Sequence, residues 1–243
     1  MTSTFNPVQS REDVPRLEWD EFYQSFSWKQ GDHVALIGPT DSGKTTLALE
    51  ILPLRKYIVV FATKPKDSTL ERFAEEKKFR IIREWTNLSV KRYPRRVLWP
   101  DARRLDSDLT QEKTFRDAMA RIYRQGGWCV YGDELWYLAN QLGLDHEIRM
   151  FFTQARSLGI SFVCSTQRPS RVPLELYDQS THLFFWRDND ERNLSRISGI
   201  AYQSSRMIMD LVANLEHHEV LYINTRDGNM IRTMAPAPKG GKK

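Results

Sequence analysis

The feature that most constrains this chain is a glycine-rich loop between an apolar run and a helix-forming run. The loop matches G-x-x-x-x-G-K-S/T at every fixed position, from Gly38 to Thr45. Residues 33–37 before it are typical of a buried strand, and the run after it is typical of a helix that ends before Pro53. The sequence therefore predicts a strand, a phosphate-binding loop and a helix in succession.

The residue types in the loop suit a nucleotide. We expect Gly38 and Gly43 to adopt backbone conformations closed to other residues, so that successive N–H groups converge on the β- and γ-phosphates. Lys44 supplies a positive charge to these phosphates, and Thr45 offers a hydroxyl to Mg²⁺. The predicted nucleotide-contacting residues are Gly38, Pro39, Thr40, Asp41, Ser42, Gly43, Lys44, Thr45 and Thr46.

Length and composition favour one large α/β domain. The chain has 243 residues, of which 40% are hydrophobic and 28% are charged. It contains no apolar run near the roughly 20 residues of a membrane helix and no signal-peptide pattern, so we expect a soluble, cytoplasmic protein without membrane insertion. Cys129 and Cys164 lie in apolar runs and are expected to be buried free thiols. The net charge of +5 is compatible with a polyanion partner but does not require one.

Strand and helix patterns alternate along most of the chain. This alternation predicts a RecA-like α/β fold, with a mostly parallel sheet covered by helices on both faces and an antiparallel edge near the C-terminus. Helices are expected at 109–125 and 145–158, and a hairpin turn at 226–229. Further strands are expected at 57–62, 79–85, 96–99, 128–134, 160–167, 182–186, 220–224 and 230–234.

The expected domain boundaries are residues 16 and 234. Residues 1–15 are expected to be loosely ordered, and residues 235–243 to form a disordered basic tail. An aromatic series begins at Trp19 and ends at Trp28 with near-helical spacing. This series either packs on the core or places an aromatic ring near the nucleotide base.

Two adjacent carboxylates, Asp133 and Glu134, end an apolar run. In phosphate-loop enzymes an Asp at a strand end helps to hold Mg²⁺, and a nearby base activates the attacking water. Asp133 and Glu134 fit these two roles, although such a pair can also be a simple polar strand terminus. Gln167 ends the next predicted strand, from which it can report the γ-phosphate. Arg156 is either a solvated helix-end charge or a group that acts in a neighbouring subunit's site.

The run from Asp133 to Ser170 carries a more specific pattern. It contains Asp-Glu, then Gln-Ala-Arg-Ser-Leu-Gly-Ile at 154–160 and Ser-Thr-Gln-Arg-Pro at 165–169. With the phosphate loop, this pattern resembles the FtsK/HerA superfamily of DNA-pumping ATPases. That superfamily includes chromosome translocases, conjugative coupling proteins and packaging ATPases of several viruses. The resemblance spans roughly residues 31–200.

The resemblance implies an ATPase that uses ATP and Mg²⁺ and forms a ring, usually a hexamer, around double-stranded DNA. Under it Arg156 becomes the finger that acts across the subunit interface. We expect no membrane anchor and little room for the additional domains of larger members, so the chain is most similar to compact viral genome-packaging ATPases. A viral portal or capsid component is then a candidate partner. The residues that keep the roles argued above are Lys44, Thr45, Asp133, Glu134 and Gln167.

A basic run is the first candidate for DNA contact, because clustered Lys and Arg grip phosphate backbones. The alternatives are an ordinary solvated charge run and a pore lined by the segment between Glu134 and Asp145. The basic candidates are Lys91, Arg92, Arg95 and Arg96, with Arg103 and Arg104 beyond them.

Other classes of nucleotide-binding protein fit less well. A GTPase needs an Asn-Lys-x-Asp motif, which the sequence lacks, and the length excludes a helicase with two RecA-like units. A small-molecule kinase stays open, although it does not require a base such as Glu134. The main rival is a nucleotide-dependent switch or assembly ATPase that organises protein partners without moving DNA.

Overall fold

The structure of the protein is a computed structural model that describes residues 13–104, 106–197 and 205–237. Within these ranges ten strands form one sheet, flanked by eight α-helices and several short helical turns. The strands are β1 (Arg16–Leu17), β2 (His33–Ile37), β3 (Ile58–Phe61), β4 (Arg80–Ile82), β5 (Arg95–Leu98), β6 (Cys129–Gly132), β7 (Ser161–Thr166), β8 (Ser180–Trp186), β9 (Glu219–Asn224) and β10 (Met230–Met234). The helices are α1 (Trp19–Ser25), α2 (Lys44–Ile51), α3 (Ser68–Glu76), α4 (Asp108–Gln125), α5 (Asp145–Thr153), α6 (Glu175–Asp178), α7 (Glu191–Ile197) and α8 (Ser205–Ala213).

The strand order is β1-β10-β9-β8-β2-β7-β6-β3-β5-β4. The seven strands from β8 to β4 in this order run parallel to one another. β9 is antiparallel to β8, and β10 is antiparallel to β9. The predicted α/β class, the mostly parallel sheet and the antiparallel C-terminal edge are therefore confirmed.

The central strands are buried on both faces, which explains their continuous apolar runs. In β2, Val34 and Leu36 join the core cluster on one face of the sheet, whereas Ala35 and Ile37 join the cluster on the other. Helices α1 to α3 supply side chains to the first cluster, and α4 and α5 supply them to the second. The sheet is therefore a central layer between two helical layers.

The direction of the strands determines which residues lie at the same edge of the sheet. The carboxyl ends of the seven parallel strands lie at one edge of the sheet, where α/β folds place their ligands. Because β10 returns to the direction of β8, the residues after β10 emerge at this same edge. Residues that precede a parallel strand lie at the opposite, amino edge.

The largest differences from the predicted lengths are found in one helix and one strand. The helix expected at 145–158 ends at Thr153, because Gln154 leaves the helical conformation with a φ of −122°, and a tighter turn follows at Ala155–Leu158. The strand expected at 79–85 shrinks to Arg80–Ile82, since it pairs only with β5 at the end of the sheet.

The packed domain extends beyond the expected limits of 16 and 234. Val14 is buried, and the Ala235 N–H donates a 2.8 Å hydrogen bond to the His218 carbonyl. The N-terminal aromatic series packs on the core, with the ring of Phe22 5.0 Å from that of Tyr222. Residues 1–12 and 238–243, where most of the two expected tails fall, lie outside the described residues.

The expectation for the two cysteines agrees with the structure. Cys129 and Cys164 are buried and free. In the part of the chain that the structure describes, every helix is too short or too polar to cross a membrane.

Two histidines are buried near the amino edge of the sheet. His33 accepts a hydrogen bond from the Phe162 N–H, and His182 Nδ1 lies 2.9 Å from the Tyr222 hydroxyl. Burial lowers the pKa of each imidazole to about 4. Both side chains are therefore neutral in the folded protein at pH 5, although they bind a proton near pH 6.5 in the unfolded chain.

This difference makes stability depend on pH. Stability that is fully present above pH 6.5 is lost as the pH falls toward about 4, because the unfolded state then binds more protons. From pH 7 to pH 5 we expect the free energy of unfolding, measured by urea denaturation, to fall by about 2 kcal/mol for each of the two histidines.

The control variant for this prediction is His146→Gln, because His146 is exposed on α5. It should retain the full decrease in stability, whereas His182→Gln should retain only part of it. Identical decreases in His182→Gln and the wild type would contradict the assignment.

Candidate nucleotide site

The glycine-rich loop joins β2 to α2 at the carboxyl edge of the sheet. Gly43 has a φ of +105°, a conformation that residues with a Cβ rarely adopt, and α2 begins immediately after it. Asp41 is also left-handed, with a φ of 58°. Two unusual backbone conformations two positions apart therefore bend the chain around the N-terminus of α2, where anions are favoured.

Gly38 is required for a different reason from the one predicted. Its φ is not positive, so the expectation of an unusual backbone conformation is wrong at this position. A Cβ at Gly38 would instead lie 2.6 Å from the Cβ of Trp186, which ends β8. The glycine therefore allows the loop to pass directly over the neighbouring strand.

Lys44 is a buried cation inside the loop. Its Nζ donates hydrogen bonds to the carbonyls of Gly38, at 2.8 Å, and Pro39, at 2.5 Å. Burial lowers the pKa of Lys44 to about 8, although the charges of Asp133 and Glu134 act in the opposite direction. The ammonium group thus remains mostly protonated at neutral pH and is held where a bound polyphosphate would lie.

Thr45 and Asp133 meet although 88 residues separate them. The Thr45 hydroxyl donates a 2.9 Å hydrogen bond to Asp133 Oδ1, and the hydroxyls of Tyr131 and Ser165 approach the same oxygen at 2.6 Å and 3.2 Å. Burial raises the pKa of Asp133, but the hydrogen bond from Tyr131 and the charge of Lys64 outweigh it, and the net shift is downward. Asp133 is therefore a carboxylate at neutral pH.

This donor set fits Mg²⁺. The ion prefers oxygen ligands and is usually bound by one or two carboxylates together with waters and substrate phosphates. Among the described residues no three His, Cys, Asp or Glu side chains form a cluster that could hold a metal alone. The oxygens of Thr45 and Asp133 therefore suit a metal that arrives with a nucleotide.

Lys64 is a site residue that sequence reasoning missed. It follows β3, and its Nζ lies 3.2 Å from Asp133 Oδ2 and 3.6 Å from Asp67. Asp67 in turn accepts a 2.9 Å hydrogen bond from the Leu70 N–H and caps α3. The only signal in the sequence is a lysine just after a buried strand, and this signal is too common to identify the contact.

Glu134 lies beside Asp133 on the wall of the same cavity. Burial raises its pKa, and the negative charge of Asp133 raises it further. A carboxylate with a raised pKa accepts a proton more readily, and this property suits a general base.

Gln167 follows β7 and reaches the loop directly. Its Oε1 accepts a 2.7 Å hydrogen bond from the Thr40 hydroxyl. Because β7 lies between β2 and β6, Gln167 stands between the loop and the two carboxylates. A group bound at the loop therefore lies close to the side-chain amide of Gln167.

These side chains line one cavity of about 960 Å³, a volume in the range of nucleotide and cofactor sites. The lining residues with predicted roles include Thr40, Lys44, Asp133, Glu134 and Gln167. The sequence did not predict the remaining walls. They include Arg104, Asp108, Gln111 and Tyr137 from the α4 side, with His218 and Met234, Ala235, Pro236 and Ala237 from the C-terminal side.

Arg156 lies at the opposite edge of the sheet. It belongs to the turn between α5 and β7, where its guanidinium donates to the Gln179 carbonyl at 2.8 Å and to the Thr181 hydroxyl at 3.2 Å. The side chain is exposed. Arg156 therefore does not reach the cavity of its own chain.

The basic run leads into β5, of which Arg95 and Arg96 are the first two residues, and so also lies at the amino edge. Lys91 and Arg92 are exposed, whereas Arg95 is half-buried and its guanidinium lies 6.0 Å from the Phe79 ring. Arg103 and Arg104 are exposed at the other edge, beyond β5, where Arg104 pairs with Asp106.

Arg96 cannot contact DNA as predicted. It is 1% exposed, and its guanidinium lies 4.7 Å and 5.0 Å from the rings of Trp85 and Trp128. It also donates hydrogen bonds to the carbonyls of Tyr93 and Leu88. Its charge is thus stabilised by two aromatic faces inside the fold.

The segment between Glu134 and Asp145 packs mainly against the core. Leu135, Leu138 and Leu142 are buried, and a π-helical turn spans Tyr137–Gln141. The Tyr137 hydroxyl donates to Asp108 at 2.8 Å. This arrangement argues against a free pore-lining loop.

No known protein family matches the sequence of this chain, and no curated protein matches it. Solved structures do match its fold. The genome packaging NTPase B204 from Sulfolobus turreted icosahedral virus 2, in complex with AMP, aligns with a TM-score of 0.61 and 19% identity over 85% of this chain and 98% of that chain. The same NTPase has been solved with AMPPCP and with ATP-gammaS.

Two bacterial proteins are also similar in fold. VirB4 of Thermoanaerobacter pseudethanolicus aligns with a TM-score of 0.61 and 10% identity over 85% of this chain and 90% of that chain. EssC (ATPases 2 and 3) from Geobacillus thermodenitrificans aligns with a TM-score of 0.55 and 12% identity over 98% of this chain and 49% of that chain. At these identities the likeness is one of fold, and it supports the RecA-like core expected from the sequence resemblance.

The burial of Arg96 leads to a stability prediction. Arg96→Ala should lower the free energy of unfolding by about 3 kcal/mol, because it removes two hydrogen bonds and a desolvated cation–π contact. The exposed Arg92 provides the matched control, and Arg92→Ala should change stability by less than about 0.5 kcal/mol. Urea denaturation measures both variants. An Arg96→Ala protein as stable as the wild type would contradict the structural role.

Proposed function

We propose that this protein is an ATP-hydrolysing motor that moves double-stranded DNA in viral genome packaging or another DNA transfer process. The observation that carries the proposal is the meeting of Lys44, Thr45, Asp133, Glu134 and Gln167 around one cavity at the carboxyl edge of the sheet. Solved structures with a similar fold include nucleotide complexes of a genome packaging NTPase, and these support the proposal.

The loop binds and orients the triphosphate. Lys44 carries a positive charge to the β- and γ-phosphates, while the N-terminus of α2 favours the same negative charge. Thr45 and Asp133 would hold Mg²⁺, which would supply positive charge to offset the charge that develops on the phosphate oxygens.

Hydrolysis requires a base for the attacking water. Glu134 accepts a proton from this water, and the water oxygen forms a bond to the γ-phosphorus. The bond from the γ-phosphorus to the β,γ-bridging oxygen breaks, which releases ADP and inorganic phosphate. Gln167 lies close enough to the loop, through Thr40, to respond to the presence or loss of the γ-phosphate.

A second subunit completes this site in the proposal. Arg156 is exposed at the amino edge and the cavity opens at the carboxyl edge, so head-to-tail packing of two copies brings one chain's Arg156 toward its neighbour's nucleotide. Repetition of this contact gives a closed ring, which we expect to be a hexamer. In it Arg156 stabilises the negative charge of the transition state.

The DNA contact is proposed at Lys91 and Arg92, the exposed members of the basic run. The net charge of +5 supports attraction to a polyanion. A viral portal or capsid component is the protein partner that a packaging role implies.

The proposal is tested first by ATP hydrolysis with and without long duplex DNA. We expect duplex DNA to stimulate turnover, and Glu134→Gln to retain Mg-ATP binding but lose turnover by about 10²- to 10⁴-fold. Lys44→Ala should impair both binding and turnover, because it removes the cation that holds the phosphates.

Glu84→Gln is the matched control, because it removes one exposed carboxylate away from the cavity and should leave turnover unchanged. Full activity in Glu134→Gln would show that Glu134 is not the general base. If the rate of ATP hydrolysis is the same with and without duplex DNA, and Glu134→Gln still loses turnover as expected, the result would instead favour a nucleotide-dependent switch that organises protein partners.

Subunit mixing tests the role of Arg156. Arg156→Ala alone should reduce turnover by about 10³-fold or more. Mixing it with Glu134→Gln should restore part of the activity, because the second variant supplies an intact arginine to the intact site of the first.

Arg124→Ala provides the control for mixing, because Arg124 is an exposed arginine at the C-terminal end of α4, on the same edge of the sheet. It should remain active without a partner variant. Verified mixed rings that show no recovery would exclude a shared site.

A further inference from the structure

The C-terminal wall of the cavity is the part that neither the sequence nor the proposed catalytic roles explain. It consists of His218, just before β9, and Met234–Ala237, the end of β10 and the residues after it. Because β9 is antiparallel to β8 and β10 is antiparallel to β9, both pieces lie at the carboxyl edge beside the loop. We call this set the C-terminal wall.

The C-terminal wall lies directly on the turn that starts α2. A Cβ built at Gly43 would lie 3.3 Å from the Ala235 Cβ and 3.9 Å from His218 Nδ1. His218 Nδ1 is also 3.1 Å from the Ser42 carbonyl, to which it donates a hydrogen bond. The C-terminal wall therefore contacts the loop through His218 and Ser42, which are 176 positions apart in the sequence.

His218 is held in an unusual conformation. It has a φ of 62°, and its carbonyl accepts the hydrogen bond from the Ala235 N–H at 2.8 Å. A left-handed conformation is unfavourable for a non-glycine residue and is retained where the surrounding structure requires it, often at ligand sites. The result is an exposed imidazole ring kept at the rim of the cavity.

The position of the wall indicates which part of a nucleotide it meets. Thr40, Glu134 and Gln167 mark the γ-phosphate end of the cavity, and Lys44 reaches the β- and γ-phosphates. The nucleoside must then extend away from these groups, past Gly43 and Thr46. The cavity continues there between the C-terminal wall and the side chains of α4.

The chemistry of the wall suits a base. Met234, Ala235, Pro236 and Ala237 carry no charged side chain, and His218 adds a flat aromatic ring. A planar base packs well against apolar and aromatic groups of this kind. None of the side chains of the C-terminal wall is a lysine or an arginine that could grip a phosphate.

We propose that the C-terminal wall is the base-binding subsite of this protein, with the base of the nucleotide packed against His218 and Met234–Ala237. This inference rests on the proposed nucleotide-dependent function. It gives the residues after β10 a direct role in ligand binding, although the sequence predicted a disordered tail from residue 235 onward.

The test compares two ligands that share a triphosphate chain, the non-hydrolysable AMPPCP and inorganic tripolyphosphate, each with Mg²⁺ in isothermal titration calorimetry. His218→Ala should weaken AMPPCP binding about tenfold, because one stacking partner of the base is lost. It should change tripolyphosphate binding less than twofold. Pro236→Gly, which removes a second part of the wall, should weaken AMPPCP binding alone by about threefold.

The neighbouring His217 supplies the matched control. Its ring lies against that of His218, with centroids 3.8 Å apart and planes tilted by 48°, but it lines a neighbouring groove and not the nucleotide cavity. His217→Ala should leave both affinities unchanged. Lys44→Ala should weaken both ligands, since it acts on the phosphates they share.

Three outcomes would overturn the proposal. Equal losses for both ligands in His218→Ala and Pro236→Gly would mean that the wall acts on the loop and not on a base. Unchanged AMPPCP affinity in both folded variants would exclude contact with the base. A wild-type protein that binds neither ligand would reject the proposed nucleotide-dependent function as well, and this result is distinct from the first two.

Discussion

The hydrogen bond from Thr45 to Asp133 is the contact on which the site depends. It ties the first turn of α2 to the end of β6, across 88 residues of sequence and across β7 in the sheet. Asp133 can hold this position because Tyr131, Ser165 and Lys64 also satisfy its oxygens. An isolated carboxylate at this depth would be costly, whereas one with several donors is stable as an anion. The loop and the end of β6 are thereby held in a fixed position relative to each other.

Because seven strands run parallel, the sheet has a carboxyl edge and an amino edge that carry different sets of residues. The carboxyl edge collects the loop and the residues after β3, β6 and β7. The amino edge carries Arg156 and the exposed part of the basic run. In the proposed ring, these edges meet between neighbouring subunits, so each nucleotide would be enclosed by residues from two chains. Within each subunit the sheet then separates the carboxyl edge, which holds the phosphate-binding loop, from the amino edge, which carries Arg156.

Local patterns predicted much of the fold. The apolar runs and the helical spacing on α4 depend on near neighbours in the chain, and these elements were found within a few residues of their expected limits. Errors occurred where a distant contact changes the environment of a residue. Arg96 belongs to a basic run, but Trp85 and Trp128 enclose it in the fold. Gly38 is needed because Trp186 lies 148 positions further along the chain and directly beneath the loop.

The sequence by itself determined the phosphate-binding loop, the carboxylate pair and the α/β class, because each depends on residue types at short spacing. Only the tertiary structure decided which strands are neighbours, and therefore that Lys64 touches Asp133 and that His218 and Ala235 cover Gly43. The physical reason is that strand order is set by the packing of complete layers of the sheet and its helices. No short stretch of the chain contains that information.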